Sequence, residues 1–188
     1  MGAKLMNLRN LAAAAALTAL AALAVAQPAA AAPVPHPSPA LTIVEPSGTQ
    51  LELTSLKGKV VVAEFLLTSC PHCWRLAQML SKLHQELGPR GFQPVAIAFD
   101  NEVSGPRVSD FAARAHIAYP VGYVSAEKVD IYLGRKPAQR FQVPQLVVID
   151  RAGVIRAQSV PAGETNLESE SYLRNLIDGL LKEEPAKR

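Results

Sequence analysis

VVVAEFLLTSCPHCWRLAQML, Val60 to Leu80, holds both cysteines of the chain, Cys70 and Cys73, with only Pro71 and His72 between them. Two hydrophobic patterns meet there. VVVAEFLL is a near-continuous apolar run, the mark of a strand buried on both faces. After Cys70 the apolar period lengthens. Leu76, Leu80, Leu83 and Leu87 recur at helical spacing with Arg75, Gln78, Lys82 and Glu86 between them, and Gly88-Pro89 follows. The spacing predicts an amphipathic helix that starts at the cysteines and stops at that Gly-Pro pair.

A strand feeding a helix puts Cys70 at the helix N-terminus, where backbone N–H groups lack internal partners and the helix dipole favours an anion. Pro71 has no N–H to leave unpaired in the first turn. That environment stabilises a thiolate, the reactive form of the side chain, and His72 is positioned to add to the effect. Cys73 falls within one turn of Cys70. The expected roles are Cys70 as exposed nucleophile and Cys73 as buried resolving thiol. A disulfide between them encloses only two residues and adds little stability through chain entropy, so reactivity is its better explanation. A zinc site would need two more ligands; His36, His84 and His116 show no ligand spacing. No metal and no cofactor beyond the Cys70–Cys73 disulfide are expected.

Outward from this stretch, alternating patterns continue. Leu41–Val44 and Gln50–Leu53 flank the turn Pro46-Ser47-Gly48 and read as an N-terminal β-hairpin. Pro94–Phe99, Val121–Val124, Leu146–Asp150 and Val154–Gln158 read as strands; Pro106–Ile117, Ala126–Leu133 and Asn166–Lys182 read as helices. Alternation of this kind predicts an α/β domain over residues 41–184: a central, mostly parallel sheet with helices on both faces, closed by an antiparallel C-terminal hairpin.

Composition bounds the function. The chain has 188 residues, 49% hydrophobic and 19% charged, with a formal charge of +3. That balance suits one globular domain, and the charge is too mild and too scattered for a nucleic-acid surface. Residues 1–31 read as a secretory signal peptide: Lys4 and Arg9, then the uncharged run Leu11–Ala26, then Ala-x-Ala cleavage sites near 26 or 31. The run is shorter than the ~20 residues of a membrane span. Residues 32–40 continue a Pro/Ala-rich leader, and 185–188 form a tail. A periplasmic or secreted location, where disulfides persist, is expected.

The residues resemble the thioredoxin superfamily over nearly the whole mature chain. In that family a cis-proline precedes the strand matched by LVVID and faces the CxxC; Pro144 matches it, preceded by Val143, and the resemblance implies that the two help hold a client peptide chain, with Pro71 beside them. AEFLLTSCPHC resembles the DsbA-type oxidases, which carry the same Pro-His dipeptide and a glutamate at the position of Glu64. The interval from Cys73 to Pro144 resembles instead the exported TlpA/ResA-like group, with an inserted strand-helix segment; Ser69 stands where that group usually has Trp. The resemblance implies a thiol–disulfide oxidoreductase acting on protein thiols and disulfides and reset by a redox partner protein. The Pro-His dipeptide points to the oxidising direction. The alternatives are a disulfide reductase, as in cytochrome c maturation, and a Cu(I)-binding chaperone using Cys70, His72 and Cys73. Leu67, three positions before Cys70, departs from the threonine of peroxiredoxins.

Four residues carry open readings. Glu64 either points to solvent by strand alternation or lies buried beneath Cys73 as a candidate proton shuttle. Thr68 or Ser69 is a candidate helix cap, and Trp74 is either packing or rim surface.

Overall fold

The computed structural model describes residues 34–136, 142–159 and 166–183. The signal sequence expected at 1–31 and the tail expected at 185–188 lie outside the described residues, as does part of the leader. Eight strands form one sheet: β1 (His36–Pro37), β2 (Thr42–Val44), β3 (Gln50–Glu52), β4 (Val60–Leu66), β5 (Phe92–Ala98), β6 (Val121–Tyr123), β7 (Gln145–Ile149) and β8 (Val154–Gln158). Four α-helices accompany them: α1 (Pro71–Leu87), α2 (Gly105–Arg114), α3 (Ala126–Leu133) and α4 (Glu170–Lys182). The spatial order is β1-β8-β7-β4-β5-β6-β2-β3.

All seven residues of β4 are buried, as its apolar run requires. Alternation then divides them. Val60, Val62 and Leu66 join a core layer with Leu76 and Leu80 of α1, Val108 and Phe111 of α2, and Leu173 and Ile177 of α4. Val61, Ala63 and Phe65 face the opposite layer, filled by Leu41 and Ile43 of the N-terminal hairpin, Leu53, and Val129 and Tyr132 of α3. Three helices thus cover one face of the sheet, and one helix with the hairpin covers the other.

The mostly parallel sheet expected from the alternation is not found: the sheet is mixed and mostly antiparallel. Only β4–β5 and β5–β6 run parallel, each joined by a crossover helix. The other five neighbouring pairs are antiparallel. The physical cause lies after β6. The chain passes through α3 and re-enters the sheet on the far side of β4, running against it as β7. Both ends of the sheet are then built from antiparallel strands. Alternation reveals that a helix separates two strands, but not the direction in which the second strand returns.

Local details also differ. Helix α1 ends at Leu87 before Gly88, yet Gly88 remains right-handed at φ −54 and the chain adds a 3₁₀ turn. The left-handed residue is Gly91, at φ 101. Helix α4 begins at Glu170 rather than Asn166. Two residues of the Pro/Ala-rich stretch, His36 and Pro37, pair with Ile155 and Val154 as an edge strand. There the Ser38 and Tyr132 hydroxyls sit 2.8 Å apart and share a hydrogen bond.

The seam between the hairpin and the rest of the sheet rests on one register pair, Val44 with Tyr123. Gly122 makes that approach possible: a Cβ there would lie 2.8 Å from the Val44 carbonyl oxygen and 2.9 Å from Ile43. Gly179 on α4, by contrast, has nothing within 4 Å of the same position. Gly122→Ala is therefore expected to destabilise the protein by about 1–3 kcal/mol, and Gly179→Ala to be neutral or to stabilise by up to ~1 kcal/mol. Urea denaturation midpoints of the two variants check the opposite signs.

Candidate active site

Cys70 is the N-cap of α1, with extended backbone at φ −83 and ψ 117 and Pro71 as the first helical residue. Its Sγ accepts a hydrogen bond from the Cys73 N–H at 3.3 Å. Helix α1 thus spends one of its unpaired N-terminal donors on the sulfur, a bond that a sulfur anion accepts more strongly than a thiol does. Thr68 and Ser69 are not the cap. The Thr68 hydroxyl and N–H instead donate to the Asp100 carboxylate, at 2.9 and 3.1 Å. Asp100 follows β5, the parallel neighbour of β4, and anchors the turn that carries Cys70.

On the other side of β4 the register pairs Phe65 with Gln145. The residues just before β7 are therefore level with the end of β4, and Val143 and Pro144 face the cysteine turn. The Val143–Pro144 peptide bond is cis. The Cys70 Sγ lies 3.8 Å from the Val143 carbonyl oxygen, which accepts its hydrogen bond. Gln145 holds this approach in place by donating from Nε2 to the Gln142 carbonyl at 2.7 Å, and Leu146 N–H donates to the Ser159 hydroxyl at 3.0 Å.

The two sulfurs are unequal. Both are free thiols, Cys70 partly exposed and Cys73 fully buried. Burial pushes the Cys73 thiol far above its ordinary range, helped by its hydrogen bond with Cys70 and by the nearby charge of Glu64. Glu64 is not turned to solvent. It is 0% exposed, on the same strand face as Val62 and Leu66, and neither carboxyl oxygen has a hydrogen-bond partner. Desolvation raises its pKa well above the usual carboxylate value, with smaller contributions from the charges of Cys70 and Glu168. The pair is a buried acid and a buried thiol, and the charge of the acid disfavours ionisation of the thiol.

Cys70 separates two surface depressions. His72, exposed at the helix start, lines one of about 320 Å³ with Val143, Pro144 and Glu168. The other, of about 440 Å³, is bounded by Thr68, Ser69, Pro71, Trp74 and Arg114. Trp74 is both packing and rim: it is partly buried against the core and lines this depression. The site residues expected from the sequence are thus brought to one place. Asp100, Arg114 and Glu168 were missed. Each arrives from a distant element, and each is one of many ordinary charged residues in a helix or loop. Among the described residues, no group of three or more His, Cys, Asp or Glu side chains is placed to hold a metal ion.

Glu64 makes stability depend on pH. Because its folded pKa lies above its unfolded one, the native state holds more protons than the unfolded chain over the interval between them. Stability therefore falls as pH rises above about 4.3, by up to about 1.4 kcal/mol per pH unit, until the folded value is passed. Glu64→Gln removes the charge while preserving shape. Its denaturation midpoint is expected to match that of the native protein near pH 4 and to exceed it increasingly toward pH 7. Urea titrations across that range check it.

Comparison with known proteins agrees with this geometry. The thiol–disulfide oxidoreductase ResA of Bacillus anthracis is 24% identical over 139 residues, covering 74% of this chain and 76% of its own. A thiol:disulfide interchange protein of the thioredoxin family from Chlorobium tepidum superposes with a TM-score of 0.64 at 26% identity, over 78% of this chain and 97% of its own. A thiol:disulfide interchange protein from Bacteroides sp. shares the fold, with a TM-score of 0.61 at 18% identity over 77% and 90% of the two chains. The Redoxin family model matches residues 29–177. With its paired cysteines at the head of α1 and the cis-proline beside them, the chain belongs to the Redoxin family and is a thiol–disulfide oxidoreductase of thioredoxin fold.

Proposed function

We propose that this oxidoreductase works outside the cytosol as a reductant of protein disulfides, in the manner of ResA. The observation that carries the reading is the likeness to ResA over about three-quarters of both chains, and the buried Glu64 within the field of Cys73 supplies a proton acceptor for it. Cys70 thiolate attacks one sulfur of a client disulfide, the client S–S bond breaks, and the released client thiolate takes a proton from solvent. The client backbone lies against Val143 and Pro144, with Pro71 and His72 at the rim of the same contact. Cys73 then passes its proton to the Glu64 carboxylate and attacks Cys70 Sγ. The mixed disulfide breaks, the second client sulfur leaves as a thiolate, and the enzyme is left with a Cys70–Cys73 disulfide. Two electrons have moved to the client. A thiol-bearing redox partner restores the dithiol, and the signal peptide read at 1–31 supports a cycle in the periplasm or beyond the cell.

Glu64 supplies the base that the second step lacks. A buried thiol pushed far up does not ionise unaided near neutral pH, and a carboxyl held above its ordinary range is a stronger base than an exposed one.

A second reading, the same machinery run as an oxidant, is favoured by the dipeptide Pro71-His72. The two differ by about 150 mV between thioredoxin, near −270 mV, and DsbA, near −120 mV, or roughly 7 kcal/mol. Redox equilibration of the mature protein with glutathione is expected to give a potential near the thioredoxin value; a value near that of DsbA would reverse the assigned direction.

The two cysteines are expected to behave differently when replaced. Cys73→Ser should accumulate mixed disulfides with clients, because the nucleophile remains and the resolving sulfur is gone, whereas Cys70→Ser should capture none. Non-reducing electrophoresis after acid quench checks this, and equal capture by both variants would contradict the roles.

A further inference from the structure

The depression on the Trp74 side of Cys70 has a composition of its own. Its lining among the described residues is Thr68, Ser69, Cys70, Pro71, Trp74 and Arg114, so its one cation is the guanidinium. Arg114 ends α2 and lies over the Trp74 ring, 5.5 Å from the centroid. The stack spreads a flat aromatic surface and a cation into one wall. Arg114 also pairs with Asp110 one turn back at 2.6 Å, through Nη2. Both partners are more than half exposed, and such a pair is weak. The guanidinium has five donors in a planar fork, so the Asp110 contact does not exhaust it.

We infer that this depression is a client subsite for an acidic side chain, glutamate above all, next to the client's reactive cysteine. The inference deepens the reductase reading and rests on it. A client whose backbone lies along Val143 and Pro144 offers its disulfide to Cys70 from one side. The neighbouring client residue then projects over the other side, toward Trp74 and Arg114. A glutamate matches that wall because its carboxylate reaches the guanidinium that the indole holds in place. A lysine there meets a like charge. The preference is expressed mostly in encounter with the reduced enzyme, so it weakens with salt.

The test uses two synthetic peptides, each closed by one intramolecular disulfide and identical except for Glu or Lys beside the cysteine. The reduced mature protein is mixed with each, and the second-order rate constant of its oxidation is read from Trp74 fluorescence. The Glu peptide is expected to react about two to five times faster at low ionic strength, with the ratio shrinking in 0.5 M salt. Arg114→Glu should invert the ratio, and Arg114→Gln should bring it close to one. Arg114→Gln keeps the test decisive if charge reversal beside Asp110 disturbs α2. A Glu-to-Lys ratio that is the same in the native protein and both variants overturns the subsite and leaves the reductase reading standing. Failure of both peptides to react overturns the reductase reading, and the subsite falls with it.

Discussion

The site depends on the burial of β4 between β5 and β7. Pairing in parallel with β5 brings Asp100 to the turn after β4, where it receives the Thr68 hydrogen bonds. Pairing antiparallel with β7 brings the segment before β7 level with the same turn, so the Val143 carbonyl faces Cys70. One strand thus aligns two others whose ends meet at its own C-terminal edge. Helix α1 starts from that edge and supplies the Cys73 N–H to the sulfur. A shift of one residue in either register would turn the side chains of β4 to opposite faces, removing Glu64 from beneath α1.

Glu64 is where stability and chemistry conflict. A carboxyl with no exposure and no hydrogen-bond partner costs the fold free energy as soon as it ionises. An alanine or glutamine would relieve that cost, and neither would keep a titrating carboxyl at that place. The apolar neighbours that make Glu64 unfavourable are the ones that raise its proton affinity, so the two effects share one cause.

Reactivity is also divided in space. Cys70 is partly exposed at a helix end, whereas Cys73 is fully buried in the first turn, bonded to Cys70 and within the field of Glu64. Burial therefore leaves Cys70 as the accessible sulfur of the pair. The two depressions beside Cys70 extend the same logic to the client. The groove with Glu168 and the cis-proline is walled differently from the one with Arg114 and Trp74.

Much of this was legible in local pattern. The run VVVAEFLL marks a strand covered on both sides, Leu76 to Leu87 marks one helix face, and the CPHC between them marks a helix start. Each of these signals is carried by neighbours in the chain, which share a period because they share a backbone conformation. Strand direction, the edge pairing of His36–Pro37, the hold of Asp100 on Thr68 and the approach of Arg114 to Trp74 have no such signal. They join residues far apart in sequence, and only the packing of completed elements decides which of many similar side chains meet. The sequence by itself determined which two sulfurs react and that they head a helix. The tertiary structure decided what surrounds them, because burial, register and charge at a point are sums over the whole fold.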